Sequence, residues 1–155
     1  MVRDRHATMK ANETVDYNIK VCWHAIARMY NTQAVKNDIT TSIGFVLLNI
    51  DPEKGTPATK IAPLLGLEAR SLTRILKSME EKGLIYKVAD EQDKRSVRIL
   101  LTELGLEKRE VSRVTVRQFN QKVREVIPES QLQVFFQVVG QINELIEAKE
   151  VFRNT

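Results

Sequence analysis

The stretch from Thr56 to Leu101 constrains this chain most, because it orders two amphipathic segments, two glycine stops and two β-prone runs within fifty residues. Thr56-Pro57 reads as a helix N-cap followed by proline at the first helical position, where a missing N–H costs nothing. The helix it opens carries Ile61, Leu64 and Leu65 and reaches Gly66, where the chain can turn sharply. Glu68 to Lys82 follows, with Leu72, Ile75, Leu76 and Met79 as an apolar stripe and Arg70, Ser71, Thr73, Arg74 and Lys77 mostly on the other side. Gly83 supplies the left-handed C-terminal stop. Ile85 to Val88 and Ser96 to Leu101 then read as strands around a polar tip, Ala89 to Arg95.

The flanks read as helices. From Asn12 to Asn31, Val15, Ile19, Cys22, Trp23, Ile26 and Met29 recur at steps of three and four. Thr41 or Ser42 is expected to cap a short helix with Phe45 and Leu48, stopped at Asp51-Pro52. Thr102 is expected to cap a long helix that ends near Ile127 before Pro128, and a last helix starts near Ser130. The expected fold is therefore mainly α with a small β-hairpin wing: a winged helix-turn-helix flanked by N- and C-terminal dimerisation helices. The boundaries fall at 1–38 for the N-terminal helix, 39–101 for the DNA-binding region and 102–155 for the C-terminal helices. A reading head of this size does not need outer helices bearing Trp23, Phe119, Phe135 and Phe136, so those faces are expected to pair between subunits.

Several function classes fall away. The single cysteine, Cys22, cannot form an internal disulfide, and with only His6 and His24 beside it no zinc or iron–sulfur ligand set is spaced in the chain. There is no P-loop, dinucleotide-binding glycine motif or nucleophile elbow, so no enzyme, metal or cofactor is expected. No apolar run approaches the ~18–20 residues that span a bilayer, and Met1 to His6 lacks a signal-peptide core; a cytoplasmic protein without membrane partners is expected.

Between Thr56 and Arg98 stand nine basic and six acidic side chains, net +3 of the chain's +4. They gather on the exposed face of the second amphipathic segment and at the hairpin tip, two places a duplex would reach. Arg70 and Arg74 suit bidentate contact with guanine, while Ser71, Thr73 and Lys77 suit phosphate contacts that fix register. Lys94 and Arg95 are the cations of the tip.

The pieces Leu65-Gly66-Leu67, Leu72-Thr73-Arg74, Glu80-Glu81-Lys82-Gly83-Leu84-Ile85, Asp93-Lys94-Arg95 and Leu101-Thr102-Glu103-Leu104-Gly105 closely resemble the MarR family of bacterial transcriptional regulators. The resemblance implies a homodimer on a pseudo-palindromic operator in double-stranded DNA, usually a repressor released by a small anionic or phenolic effector or by oxidation. It assigns Arg95 to the minor groove and Asp93 to orienting it. The plain alternative for both is a solvated tip ion pair. Two departures stand out: Pro63 lies within the first helix of the pair, and Glu68 occupies a helix start where the family often has serine.

Family members that sense organic peroxides carry a reactive cysteine in the first helix, which makes Cys22 a redox candidate. The segment Ile39 to Phe45 holds no tyrosine to activate it, and its place beside the apolar stripe favours a packing role. The competing functional reading is a winged-helix protein-interaction module or antirepressor without operator binding.

Overall fold

The computed structural model describes residues 9–149 and 151–152; the run Met1–His6, including His6, lies outside them. Helix α1 spans Val15–Val35, and α2 Thr41–Leu48. A two-residue strand β1, Thr56–Pro57, leads into α3, Ala58–Leu64, and then α4, Ala69–Glu81. Strands β2, Ile85–Ala89, and β3, Val97–Leu101, form the hairpin, followed by α5, Glu103–Val126, and α6, Glu129–Glu147.

The sheet has three antiparallel strands in the order β1-β3-β2. Its first strand corrects the expected helix start at Thr56-Pro57. Pro57 pairs with Arg98, and Thr56 with Ile99. An edge strand tolerates proline because no ladder partner waits for its missing N–H. The Thr56 hydroxyl accepts the Asp51 N–H at 2.9 Å, so it closes the 51–55 turn and leaves α3 uncapped. The α2 cap shifts similarly: Thr40, not Thr41 or Ser42, accepts the Ile43 N–H at 3.2 Å. Pro63 sits in the last turn of α3, which ends one residue later.

The core joins α2, α3, α4 and the inner face of the hairpin. Ile43, Val46, Leu47, Ile61, Leu72, Leu76, Met79, Leu84, Ile85 and Ile99 are buried together. Gly66 and Gly83 take the positive φ values of 61° and 70° that their turns require. The Leu101-Thr102-x-x-Gly105 motif has a mechanical role here. The Thr102 hydroxyl donates to the Gly83 carbonyl at 2.6 Å and accepts the Gly105 N–H at 3.0 Å, and the Thr102 N–H donates to the Leu84 carbonyl. A side chain at Gly105 would collide with the Leu84 carbonyl, so only glycine lets α5 start this close to β2.

The chain divides after Thr115, inside α5, into two compact units. Within the first unit, α1 and the start of α5 both touch α2. Phe45 of α2 stacks edge-on against Tyr30 of α1 at 5.7 Å and lies 5.9 Å from Trp23. Gly44 of α2 lets Ser112 of α5 approach closely.

Candidate nucleic-acid interface

Helix α4 sorts its residues by face, as the 3.6-residue period dictates. Leu72, Leu76 and Met79 are buried, while Arg70, Thr73, Arg74 and Lys77 are exposed and Ser71 is half-buried. None of Arg70, Arg74 and Lys77 has an ion-pair partner among the described residues. The Thr73 hydroxyl donates back to the Ala69 carbonyl at 2.9 Å. An open groove beside Arg74 is lined by Thr40, Ser42, Ser71 and Ser78 together with apolar Leu67 and Ile75.

The hairpin tip carries the second set of cations. Lys94 and Arg95 are exposed. Asp93 meets Arg95 through the backbone: its carboxylate accepts the Arg95 N–H at 3.0 Å, and its carbonyl accepts the Ser96 N–H at 2.8 Å. Asp93 therefore shapes the turn on which Arg95 stands.

Two residues of this region went unrecognised in the sequence. Asp90 was counted as part of a solvated tip, yet it is only 3% exposed. Its Oδ1 accepts the N–H groups of Gln92 at 2.9 Å and Asp93 at 3.0 Å. Its Oδ2 lies 3.0 Å from Nη2 of Arg98. The N–H groups of Asp93 and Gln92, and then Arg98, hold this carboxyl below the usual carboxylate range, outweighing its burial. Arg98, counted among the basic residues, turns its other nitrogen inward. Nη1 donates to the carbonyls of Lys54 at 3.1 Å and Gly55 at 3.2 Å. Lys87 is also engaged, pairing with Glu80 at 2.8 Å. The readable signal was an aspartate opening a polar turn, which favours Asx-type bonds to the next N–H groups.

Cys22 is exposed. It lies outside the core of the single chain, beside a stripe that is itself uncovered there: Val15, Ile19 and Trp23 are each about half exposed. Among the described residues no helix is long and apolar enough to cross a membrane.

A helix–turn–helix whose second helix offers free cations, followed by a hairpin with basic tip residues, is the layout the comparisons meet. Residues 39–97 match the MarR family model. This segment is a MarR-family domain. The HTH-type transcriptional regulator TtmR of Methylorubrum extorquens is 33% identical over 82 residues, 53% of this chain and 42% of that protein. The match thus spans less than half of that relative's length. Among solved structures, the PcaV transcriptional regulator of Streptomyces coelicolor with its natural ligand superposes with a TM-score of 0.77. It is 21% identical, with 89% of this chain and 97% of that one covered. MepR of Staphylococcus aureus in complex with DNA gives 0.77 at 23% identity, covering 88% and 99%. These neighbours share the fold over nearly nine-tenths of the chain. Within the matched segment, Arg74 stands on α4 and Arg95 in the turn between β2 and β3.

Proposed function

We propose that this chain is a sequence-specific DNA-binding transcriptional regulator, a cytoplasmic homodimer that represses from a pseudo-palindromic operator. The observation that carries the reading is the exposed face of α4, where Arg70, Arg74 and Lys77 have no ion-pair partner among the described residues while the opposite face is locked into the core. Arg70 and Arg74 read base edges, Ser71, Thr73 and Lys77 hold phosphates, and Lys94 and Arg95 enter the adjacent minor groove on a turn that Asp93 shapes. MepR in its DNA complex shares this fold, which supports the reading.

Dimerisation follows from the outer helices. Val15, Ile19 and Trp23 on α1, and Phe135, Phe136 and Ile146 on α6, are exposed in the single chain, more apolar surface than a lone soluble protein ordinarily leaves open. Segments 1–38 and 102–155 supply the subunit contacts, and a two-fold axis would set two reading helices about one DNA turn, ~34 Å, apart. A small ligand that fits one spacing better than another would release the operator, as differential affinity requires. PcaV, similar in fold, holds its natural ligand.

The test is selection of bound genomic fragments, followed by gel shifts across a salt series. Enrichment of an inverted repeat is expected, with log affinity falling against log salt at roughly −0.9 per phosphate contact. A protein-interaction module would enrich no repeat.

A further inference from the structure

The tip of the wing is held from beneath by a continuous set of contacts that ends far from the tip in sequence. The carbonyls of Lys54 and Gly55 receive Nη1 of Arg98; Nη2 of Arg98 faces Oδ2 of Asp90; and Oδ1 of Asp90 receives the N–H groups of Gln92 and Asp93. Asp93 in turn receives the Arg95 N–H. Gly55 makes the first link feasible. Its φ is +66°, and a Cβ there would lie 2.5 Å from the Ile99 carbonyl oxygen, so the 51–55 turn is pressed against β3 as only glycine permits. Arg98 is fixed opposite by its pairing with both Pro57 and Val88.

We propose that Asp90 and Arg98 are positioning residues for DNA binding, a clamp beneath the tip that fixes where the wing presents Lys94 and Arg95. Asp90 is covered by the turn it organises, and half-buried Arg98 commits both terminal nitrogens to partners within the protein. A seven-residue loop without the clamp would sample many conformations, and docking it on a groove would then cost the entropy of ordering it. The clamp removes that cost before binding. This inference rests on the DNA-binding reading above.

Charge makes the test sharp. Asp90→Asn removes a negative charge near a polyanion. If only the net field of the wing matters, binding should tighten or stay level. The clamp predicts the opposite, since the amide places a donor against Arg98 and breaks the pair while still accepting the Gln92 and Asp93 N–H groups.

Binding of wild type, Asp90→Asn, Arg98→Lys, Arg95→Ala and the Asp90→Asn/Arg95→Ala double variant would be measured at one ionic strength. The probe is a duplex carrying the inverted repeat recovered by selection with the wild-type chain, and amide exchange at 91–96 is followed without DNA. We expect Asp90→Asn to weaken binding about tenfold, Arg98→Lys to do so despite its retained charge, and the double variant to bind no worse than Arg95→Ala alone. Tip amides should exchange faster in both clamp variants while the core amides keep their protection. Unchanged or tighter binding by Asp90→Asn, additive losses in the double variant, or loss of core protection would each overturn the clamp. If wild type recovers no repeat, the DNA-binding reading falls and the clamp's role falls with it, whereas a clamp failure alone leaves wild-type and Arg95→Ala binding distinct.

Discussion

Val46, Leu47, Ile61 and Ile99 in the head have no exposed surface, whereas Trp23 on α1 and Phe135 on α6 leave 48% and 57% of theirs to solvent. All are large apolar side chains on regular elements, so propensity does not separate them. The difference lies in what covers them. The head closes its core with its own α2, α3, α4 and hairpin, and the exposed face of its α4 carries Arg70, Arg74 and Lys77. Among the described residues, the outer helices leave much of their apolar surface uncovered. A self-sufficient head and half-built outer helices fail in different ways, and the failures can be measured separately.

The head should be the sensitive region to cavity formation. Leu47→Ala should cost ~2–5 kcal/mol in urea unfolding, with the same loss at every protein concentration. A loss below 1 kcal/mol would mean the core is less complete than its burial indicates. On the basic face, Arg74→Ala should leave the urea midpoint in place and reduce operator affinity by ~1–3 kcal/mol, read by gel shift at fixed salt. Arg74→Ala binding as wild type would move the reading surface off α4.

For the outer helices, concentration is the variable. If α6 pairs between subunits, stability should fall by about 1.4 kcal/mol per tenfold dilution, and Phe135→Glu should abolish that dependence and halve the sedimenting mass. A wild-type chain that sediments as a monomer at all concentrations would erase the contrast between the two regions.

Acid should act on the head through its turns. Asp90 and Asp51 both have lowered carboxyl pKa values, held down chiefly by backbone N–H groups, from Asp93 and Gln92 for the first and from Lys54 and Glu53 for the second. A lowered folded pKa gives stability that is fully present above the unfolded value, near 3.9, and is lost as pH falls through the folded one. Thermal unfolding should therefore show no pH-dependent change from these groups between pH 7 and 5, where their contribution is fully present, and a decline below about pH 4. Asp90→Asn should flatten part of that decline. The smallest effect belongs to Ser96→Ala: the Ser96 hydroxyl is buried without a hydrogen-bond partner among the described residues, so removing it should shift stability by less than about 0.5 kcal/mol.

What could be read in the sequence follows from which interactions are local. The stripe Leu72, Leu76, Met79, the turns at Gly66 and Gly83, and the cap at Thr102 are set within a few residues of themselves, and each stands where periodicity and turn chemistry place it. Strand β1 was hidden because Thr56-Pro57 has a valid helix-start reading, and only its pairing with β3, some forty residues on, decides against it. The burial of Asp90 depends on the same distant register, which sets Arg98 between two strands. Charge counting likewise treats Arg98 and Lys87 as free, although each already has an acidic partner, Asp90 and Glu80 respectively. The exposure of Cys22 escaped notice because a stripe on a helix tells that a partner exists and not which chain supplies it.

The bond from the Thr102 hydroxyl to the Gly83 carbonyl reaches across the base of the hairpin, with the whole wing lying between its two ends. A peptide bond severed at the exposed tip, between Gln92 and Asp93, would thus free neither fragment. Upstream of the cut, Ile85 to Ala89 stay paired with Val97 to Leu101, and Leu84 remains bonded to Thr102 at the floor. Protease nicking at the wing should give two bands on a denaturing gel and one species in solution, and the nicked protein would keep its reading helix in place while losing the continuous tip.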